Sequence, residues 1–218
     1  MRICVVGPGR IGGNLARRFR AAGHDVVATF ARHAEGPKSL PPEGVTFIAE
    51  GATAIAGAQV IVISVPWASI DAAWASLGDI GDVAIVDTTN PFAADGIVEL
   101  PTTSAAFNAR RFGVRPYAKA FNTLTSAFQV AAIDKASAHR AAMFYAASDQ
   151  RAADAVEPLI ASVGFVPIFV GGPADSALME APRRPGAVYG EEYTPDDAVR
   201  AVEAYRRGVP IQPRLASS

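Results

Sequence analysis

The feature that most restricts what this chain can fold into is Gly7-Pro8-Gly9-Arg10-Ile11-Gly12, set between an apolar run and an amphipathic one. Alone, a G-x-G-x-x-G spacing says little. Here Arg2 to Gly7 reads as a buried strand, and Arg10 to Ala22 as a helix with Ile11, Leu15, Phe19 and Ala22 on one face. In that setting Gly7 permits a tight turn, Gly9 lets backbone approach a pyrophosphate, and Gly12 lets helix and strand pack closely. The helix N-terminus adds amide donors and positive potential. The competing reading is a glycine turn that binds nothing.

The same alternation continues along the chain. Asp25 to Phe30 reads as a second strand, followed by a polar, Pro-rich loop from Arg32 to Gly44. Further strands are expected at Val45 to Ala49, Gln59 to Val65, Val83 to Asp87, Tyr117 to Phe121, Arg140 to Ala147 and Phe165 to Val170. Helices are expected around Thr53 to Ala56, from Trp67 to Leu77, at Thr103 to Phe112, and from Asp149 to Val163 with a kink at Pro158. Strands that read as continuous apolar runs between helices imply an α/β fold: a doubly wound, mostly parallel Rossmann-type sheet covered on both faces. After Gly172-Pro173 the pattern breaks. Residues 1–172 are thus expected to form a dinucleotide-binding domain and 173–218 a short C-terminal appendage, contributing to a substrate pocket or a dimer contact. Its one regular element starts at Thr194-Pro195-Asp196-Asp197, a cap, a first-turn proline and two acids at the positive end of the dipole.

Bulk properties narrow the partners. The chain has 218 residues, a formal net charge of −1 and 19% charged residues, which argues against nucleic acid or an anionic membrane as partner, since both require a concentrated basic face. The single cysteine, Cys4, cannot form an intrachain disulfide, which fits a reducing, cytoplasmic setting. The apolar run after Arg2 ends at Gly7-Pro8-Gly9-Arg10, too short for a secretion signal, and Val60 to Val65 is too short to span a bilayer. A soluble protein kept in the cell is the expectation. The three histidines are scattered and no spacing suggests a metal site. There is neither a G-x-S-x-G elbow nor the Lys-Ser/Thr of a P-loop.

Cofactor choice is read at the end of the second strand, where an NAD site offers an acid to the ribose hydroxyls. This chain has Phe30-Ala31-Arg32, with no acid before Glu35. Asp25 sits at the wrong end of the strand, about 15 Å off at strand rise. Arg32 suits a 2′-phosphate, with His33, Arg10 and Lys38 as helpers, so NADP(H) is expected over NAD; a solvated basic loop is the alternative. Three further strand ends point at the same crevice. Ser64-Val65-Pro66-Trp67 offers Pro66 as a wall behind a nicotinamide. Asp87-Thr88-Thr89-Asn90-Pro91 offers Asn90 to its ribose or carboxamide, unless these are turn residues only. In Lys119-Ala120-Phe121-Asn122-Thr123, Lys119 is a candidate general acid, or else snorkels or pairs with a carboxylate. Asn122 and Thr123 are candidates to orient a substrate, with Asn122 also a catalytic candidate. Trp67 and Trp74 read as core.

With these residues assembled, the chain resembles the F-420-dependent NADP oxidoreductases, which exchange a hydride between NADP(H) and a deazaflavin coenzyme. The likeness runs from residue 1 to about 180, through the fingerprint Gly7 to Gly13, the strand ends at Ser64 to Trp67, Asp87 to Pro91 and Lys119 to Thr123, and Gly164-Phe165 with Gly172-Pro173. It implies that Gly9 to Gly12, Arg32 and Ser64 to Trp67 hold NADP, that a deazaflavin lies over the nicotinamide, and that the protein is a homodimer. After Gly172 the chain departs from the family, with Asp175-Ser176-Ala177-Leu178-Met179-Glu180 and then Arg183-Arg184-Pro185-Gly186-Ala187-Val188-Tyr189-Gly190. There Tyr189 is a candidate substrate residue, Tyr189 or Tyr193 a proton source, and Arg183 and Arg184 candidates for an anionic tail. A small imine, ketone or enone in place of the deazaflavin is the alternative acceptor. A non-catalytic NADP(H) sensor is the alternative of another class.

Overall fold

The structure, a computed structural model, describes residues 1–30, 44–113, 115–133 and 140–211. Strand β1, Arg2–Val6, is buried from its second residue on and lies at the centre of the sheet. Helix α1, Arg10–Ala21, buries Leu15, Ala16 and Phe19 and returns the chain to β2, Asp25–Thr29, which pairs parallel with β1. The first turn of α1 holds no acid and Gly9, its cap, has no side chain to close the free amides, while Arg18 and Arg20 sit in the last turn. The helix thus presents an unneutralised positive end beside the carboxyl end of β1.

A short β3, Thr46–Phe47, extends this side, and α2, Gly51–Ala54, carries the chain to β4, Val60–Ile63, on the other side of β1. A 3-10 turn at Trp67–Ser69 leads into α3, Ile70–Leu77, then β5, Ala84–Asp87. A small hairpin comes next, β6, Phe92–Ala93, and β7, Gly96–Ile97; then α4, Ser104–Arg111, β8, Tyr117–Ala120, α5, Ser126–Ile133, and β9, Ala142–Ala147. Helix α6, Gln150–Ser162, with Pro158 inside it, precedes β10, Val166–Gly171. The main sheet runs β10-β9-β8-β5-β4-β1-β2-β3, parallel throughout except for the antiparallel pair β8 and β9. The expected strands are all present. The hairpin and α5 are additional to the expected elements, and the reversal at β9 is not foreseen because an apolar run carries no mark of strand direction.

Alternate residues of each strand feed opposite faces. Ile3, Val5, Val62, Val86 and Tyr145 meet α1 and α6 on one side. Cys4, Val6, Ile61, Ile63 and Tyr117 meet α2, α3 and α4 on the other. Trp74 packs on Phe112 with ring centroids 4.7 Å apart, a core contact as expected. Burial pushes the Cys4 thiol up to about 12, so it is an inert apolar filler.

The chain beyond residue 172 covers the last two strands. A 3-10 helix at Pro173–Met179 and α7, Pro195–Arg206, place Leu178, Met179, Val188, Tyr193, Ala198 and Val202 against Ala142, Phe144 and Val170 of β9 and β10. The Thr194 side chain accepts the amide of Asp197 and Pro195 opens α7, as its sequence suggests. Among the described residues this segment has no core separate from the sheet. Nor is any described helix long and apolar enough to cross a membrane.

Candidate functional site

After β1 the chain winds to β2 on one side and later returns to β4 on the other, which opens a crevice at the carboxyl ends of β1 and β4. A cavity of about 710 Å³ lies there, lined along its floor by Gly7, Pro8, Gly9, Arg10 and Ile11. The three glycines of the loop are small for three different reasons. Gly7 has φ +92°, and a Cβ there would stand 2.6 Å from the Ser64 carbonyl oxygen. A Cβ on Gly12 would stand 2.3 Å from the Gly7 carbonyl oxygen and 2.9 Å from Ser64 Cβ, so Gly12 seats α1 against the strand ends. A Cβ on Gly9 would meet nothing within 4 Å. The protein therefore does not need a glycine at position 9 to pack itself; what the residue keeps open is exposed backbone at the uncapped end of α1.

The strand ends supply the walls. Phe30, Ser64, Val65, Pro66 and Trp67 line the cavity as their positions suggest. Trp67 is nonetheless mostly buried, with Arg111 5.4 Å above its ring. Ala31 and Arg32 lie outside the described residues, as do His33 and Lys38, and with them the expected contact to a 2′-phosphate. Among the described lining residues Arg10 is the one cationic side chain. Phe30 and Phe121 both line the cavity with positive φ, 56° and 60°. A bulky residue holds that conformation only where its surroundings impose it, and such residues gather at binding sites.

Asn90 lines the cavity, and its side chain is clasped by Asn122: Asn90 Nδ2 donates to the Asn122 carbonyl at 3.0 Å, and Asn122 Nδ2 donates to Asn90 Oδ1 at 3.2 Å and to the Met179 carbonyl at 2.9 Å. The clasp ties the ends of β5 and β8 to the C-terminal segment. Asn122 Oδ1 is a buried acceptor with no partner among the described residues. Pro91 is buried behind this wall, its carbonyl taking the Val98 amide at the base of the hairpin. Thr123 also stands behind it, its carbonyl accepting from the Gly190 amide at 2.8 Å and its hydroxyl meeting Met143 Sδ at 3.7 Å. Lys119 is fully buried and is not a lining residue. It neither snorkels nor faces the cavity; its Nζ lies 3.5 Å from Asp87 Oδ2.

From the C-terminal segment Tyr189 reaches the cavity, and burial raises its hydroxyl above the ordinary phenol range. Tyr193 instead packs edge-on against Phe144 in the core. The two arginines of this segment are engaged internally: Arg183 pairs with Glu191 at 2.9 Å, and Arg184 donates to the carbonyls of Glu180, Pro182 and Ala177. Neither lines this cavity. Thr88 and Thr89 line the cavity from the strand end that the sequence points at this crevice, though the sequence assigns neither a role, and Ser69, Phe92, Leu124 and Thr125 line it without having been singled out. Phe92, next to the strand stop at Asn90-Pro91, carried the clearest signal of these. Among the described residues no cluster of three His, Cys, Asp or Glu side chains could hold a metal.

Comparison with known proteins bears on this geometry. Residues 2–91, which carry the glycine loop and the ends of β1, β4 and β5, match the family described as NADP oxidoreductase, coenzyme F420-dependent. No curated protein matches the sequence. Among solved structures, a hypothetical protein from Sinorhizobium meliloti is 26% identical with a TM-score of 0.75, covering 89% of this chain and 95% of its own. A protein of Arthrobacter sp. FB24, provisionally described as an F420-dependent NADP-reductase, is 24% identical with a TM-score of 0.66 over 79% of this chain and 86% of its own. A reductive aminase from Aspergillus terreus, in complex with NADPH and ethyl levulinate, is 21% identical with a TM-score of 0.60 over 81% of this chain and 56% of its own. These last two likenesses establish the Rossmann fold.

Proposed function

We propose that this chain is an NADP(H)-dependent oxidoreductase that exchanges a hydride between NADP(H), laid along the glycine loop, and deazaflavin coenzyme F-420 at the Asn122 and Tyr189 end of the cavity. The observation that carries the reading is Gly9, where the chain leaves open a place that its own packing does not require, at the uncapped N-terminus of α1. Support for the coarser statement, NADP-linked oxidoreduction, comes from the family match over residues 2–91. The residues present fit the cofactor. Gly7 to Gly12 and the first amides of α1 would hold its pyrophosphate, and Asn122 Oδ1 offers an unused acceptor to a carboxamide.

When bound, NADPH supplies the hydride from its nicotinamide ring. The protein's part is to align the two partners and keep water out, which is most of what transfer between two cofactors requires. Pro66 and Trp67 wall one side, Thr89 and Asn90 another. Arg10 is the one described cation near the loop and would favour phosphate there.

One observation favours a second reading, a small imine or ketone as acceptor. Such a reduction needs a proton donor, and Tyr189, held protonated by burial, is the one phenol in the cavity. The two readings separate in one experiment: stopped-flow oxidation of bound NADPH against oxidised F-420 and against a panel of cyclic imines and ketones, with wild type and Tyr189→Phe. The deazaflavin reading expects F-420 to be reduced at a rate indifferent to Tyr189→Phe. Imine turnover that collapses in the variant, with F-420 inert, would replace it.

A further inference from the structure

Asp87, the last residue of β5, and Lys119 of β8 are both fully buried. Removing an ammonium and a carboxylate from water is costly, and apolar residues of similar volume often serve stability as well or better. The pair calls for a reason other than packing, and its contacts supply one. Asp87 Oδ1 accepts the Thr89 amide at 2.8 Å. Lys119 Nζ donates to the Thr89 carbonyl at 2.6 Å. Asn108 Nδ2 donates to Asp87 Oδ2 at 2.9 Å and reaches the Thr89 hydroxyl at 3.3 Å. The Tyr117 hydroxyl completes the cluster, donating to Asp87 Oδ2 at 2.7 Å.

Thr89 is thereby held at its amide, its carbonyl and its hydroxyl by groups drawn from β5, α4 and β8. It lines the cavity together with Thr88 and Asn90, and Asn90 is gripped from the far side by Asn122. Three such hydrogen bonds oppose rotation of the Thr89 peptide and favour one shape of the wall. Lys119 is fully enclosed and is not itself part of the cavity lining.

We infer that Asp87 and Lys119, with Tyr117 and Asn108, form a buried positioning unit that fixes the Thr88-Thr89-Asn90 wall against a bound nicotinamide, with Lys119 acting through Thr89 and not on the reacting atoms. The inference rests on the NADP(H) reading. Burial and the neighbouring Asp87 carboxylate hold the Tyr117 hydroxyl protonated, as a donor in such a cluster must be.

The test measures the nicotinamide itself. NADPH is titrated into wild type and Lys119→Met, and the fluorescence lifetime of the bound nicotinamide is recorded beside the dissociation constant. With the phosphates anchored at the glycine loop, Lys119→Met should keep the dissociation constant within about threefold while the bound lifetime falls back toward that of free NADPH; single-turnover hydride transfer should slow about tenfold or more, with the shape of its pH profile unchanged. Tyr117→Phe, which keeps the ring and the ion pair, should move the lifetime the same way by less, and it carries the test if Lys119→Met does not fold. A lifetime unchanged in the variant that folds, or a pH limb lost in Lys119→Met, overturns the inference while leaving NADP(H) binding intact. Failure of wild type to bind NADPH overturns both.

Discussion

The two ends of the cavity are built by opposite means. At the β1 end the protein shapes its surface by leaving side chains out: Gly7 and Gly12 let backbone touch backbone, and Gly9 leaves backbone bare. At the β5 and β8 end it shapes its surface by burying side chains, with Asp87, Lys119, Tyr117 and Asn108 enclosed behind one threonine. The first design offers exposed amides to an anion, and its packing excludes a side chain at Gly7 and Gly12 but not at Gly9. The second offers an immobile wall, and each of its members can be altered by a single atom or charge. A scaffold that must grip phosphates and also align a ring has use for both.

The largest effect expected breaks the glycine end alone. Gly9→Val puts a branched side chain where the chain keeps open space, so it should abolish NADPH binding while the circular dichroism and melting temperature stay near wild type. Gly12→Val differs in kind, because its Cβ would collide with the Gly7 carbonyl at 2.3 Å and displace α1. That variant should lose both binding and stability. If Gly9→Val binds NADPH normally, the phosphates lie elsewhere and the contrast between the two ends dissolves.

The next effect belongs to the C-terminal wall. Glu180 is buried and accepts the Ser104 and Ala105 amides at 2.7 and 2.8 Å and the Ser176 hydroxyl at 2.6 Å, so it closes the N-terminus of α4 from a distant part of the chain. Glu180→Ala leaves the Ser104 and Ala105 amides without a partner in the core, while the Ser176 hydroxyl keeps the Pro173 carbonyl, at a cost of about 2–4 kcal/mol. Chemical denaturation should show it as a shifted midpoint with an unchanged slope. A change below 0.5 kcal/mol, about what a surface site costs, would mean that the segment after residue 172 does not brace the wall.

The difference between the ends also explains what could be read in advance. The glycine loop is legible because its parts are adjacent in the chain, between an apolar strand and an amphipathic helix. The strand-end positions Ser64, Pro66, Asn90 and Asn122 are legible because strand order sends carboxyl ends to one crevice. Lys119 is different. Its sequence context allows a proton donor, a snorkelling chain or an ion pair, and only the pairing of β5 with β8 places it opposite Asp87. Glu180 and Ser104 are 76 residues apart, and no local pattern joins them. The 3-10 helix at Pro173–Met179 and helix α5 escape the periodicity because one is too short for it and the other is apolar nearly all round. Arg183 and Arg184 are likewise not legible in advance: the sequence does not show that their partners in the chain lie on their own segment.

A smaller effect sharpens the glycine end. Its described lining holds one cation, Arg10, and the sequence offers Arg32, three residues after β2 and outside the described residues, as the candidate for a 2′-phosphate. Arg32→Asp should weaken NADPH by about 1.5–3 kcal/mol, roughly 10- to 150-fold, and leave NADH nearly unchanged. Equal affinities for the two cofactors in the wild type would remove Arg32 from the site.

The smallest effect tests the other end through its pH dependence. Desolvation first, then the Asp87 charge and the hydrogen bond to it, raise Tyr117 well above the ordinary phenol value, so the folded protein keeps a proton that the unfolded chain releases near pH 10. A raised folded value means that the stabilisation is complete below pH 10 and is lost as pH climbs beyond it, by about 1.4 kcal/mol at pH 11 for one tyrosine. Tyr145 is raised in the same direction, by burial and by Glu157, so part of the alkaline slope survives without Tyr117. Tyr117→Phe should therefore flatten the fall in stability between pH 9 and 11 by about one proton's worth without abolishing it. The mutant's lower stability at neutral pH reports the lost hydrogen bond to Asp87, but the slope reports something else, that the hydroxyl is enclosed with a charge beside it. If denaturation curves for the two proteins run parallel through that range, Tyr117 ionises as freely in the fold as in the unfolded chain. The wall at β5 would then be open to water and not held by a closed polar cluster, and the contrast with the glycine end would have to be redrawn.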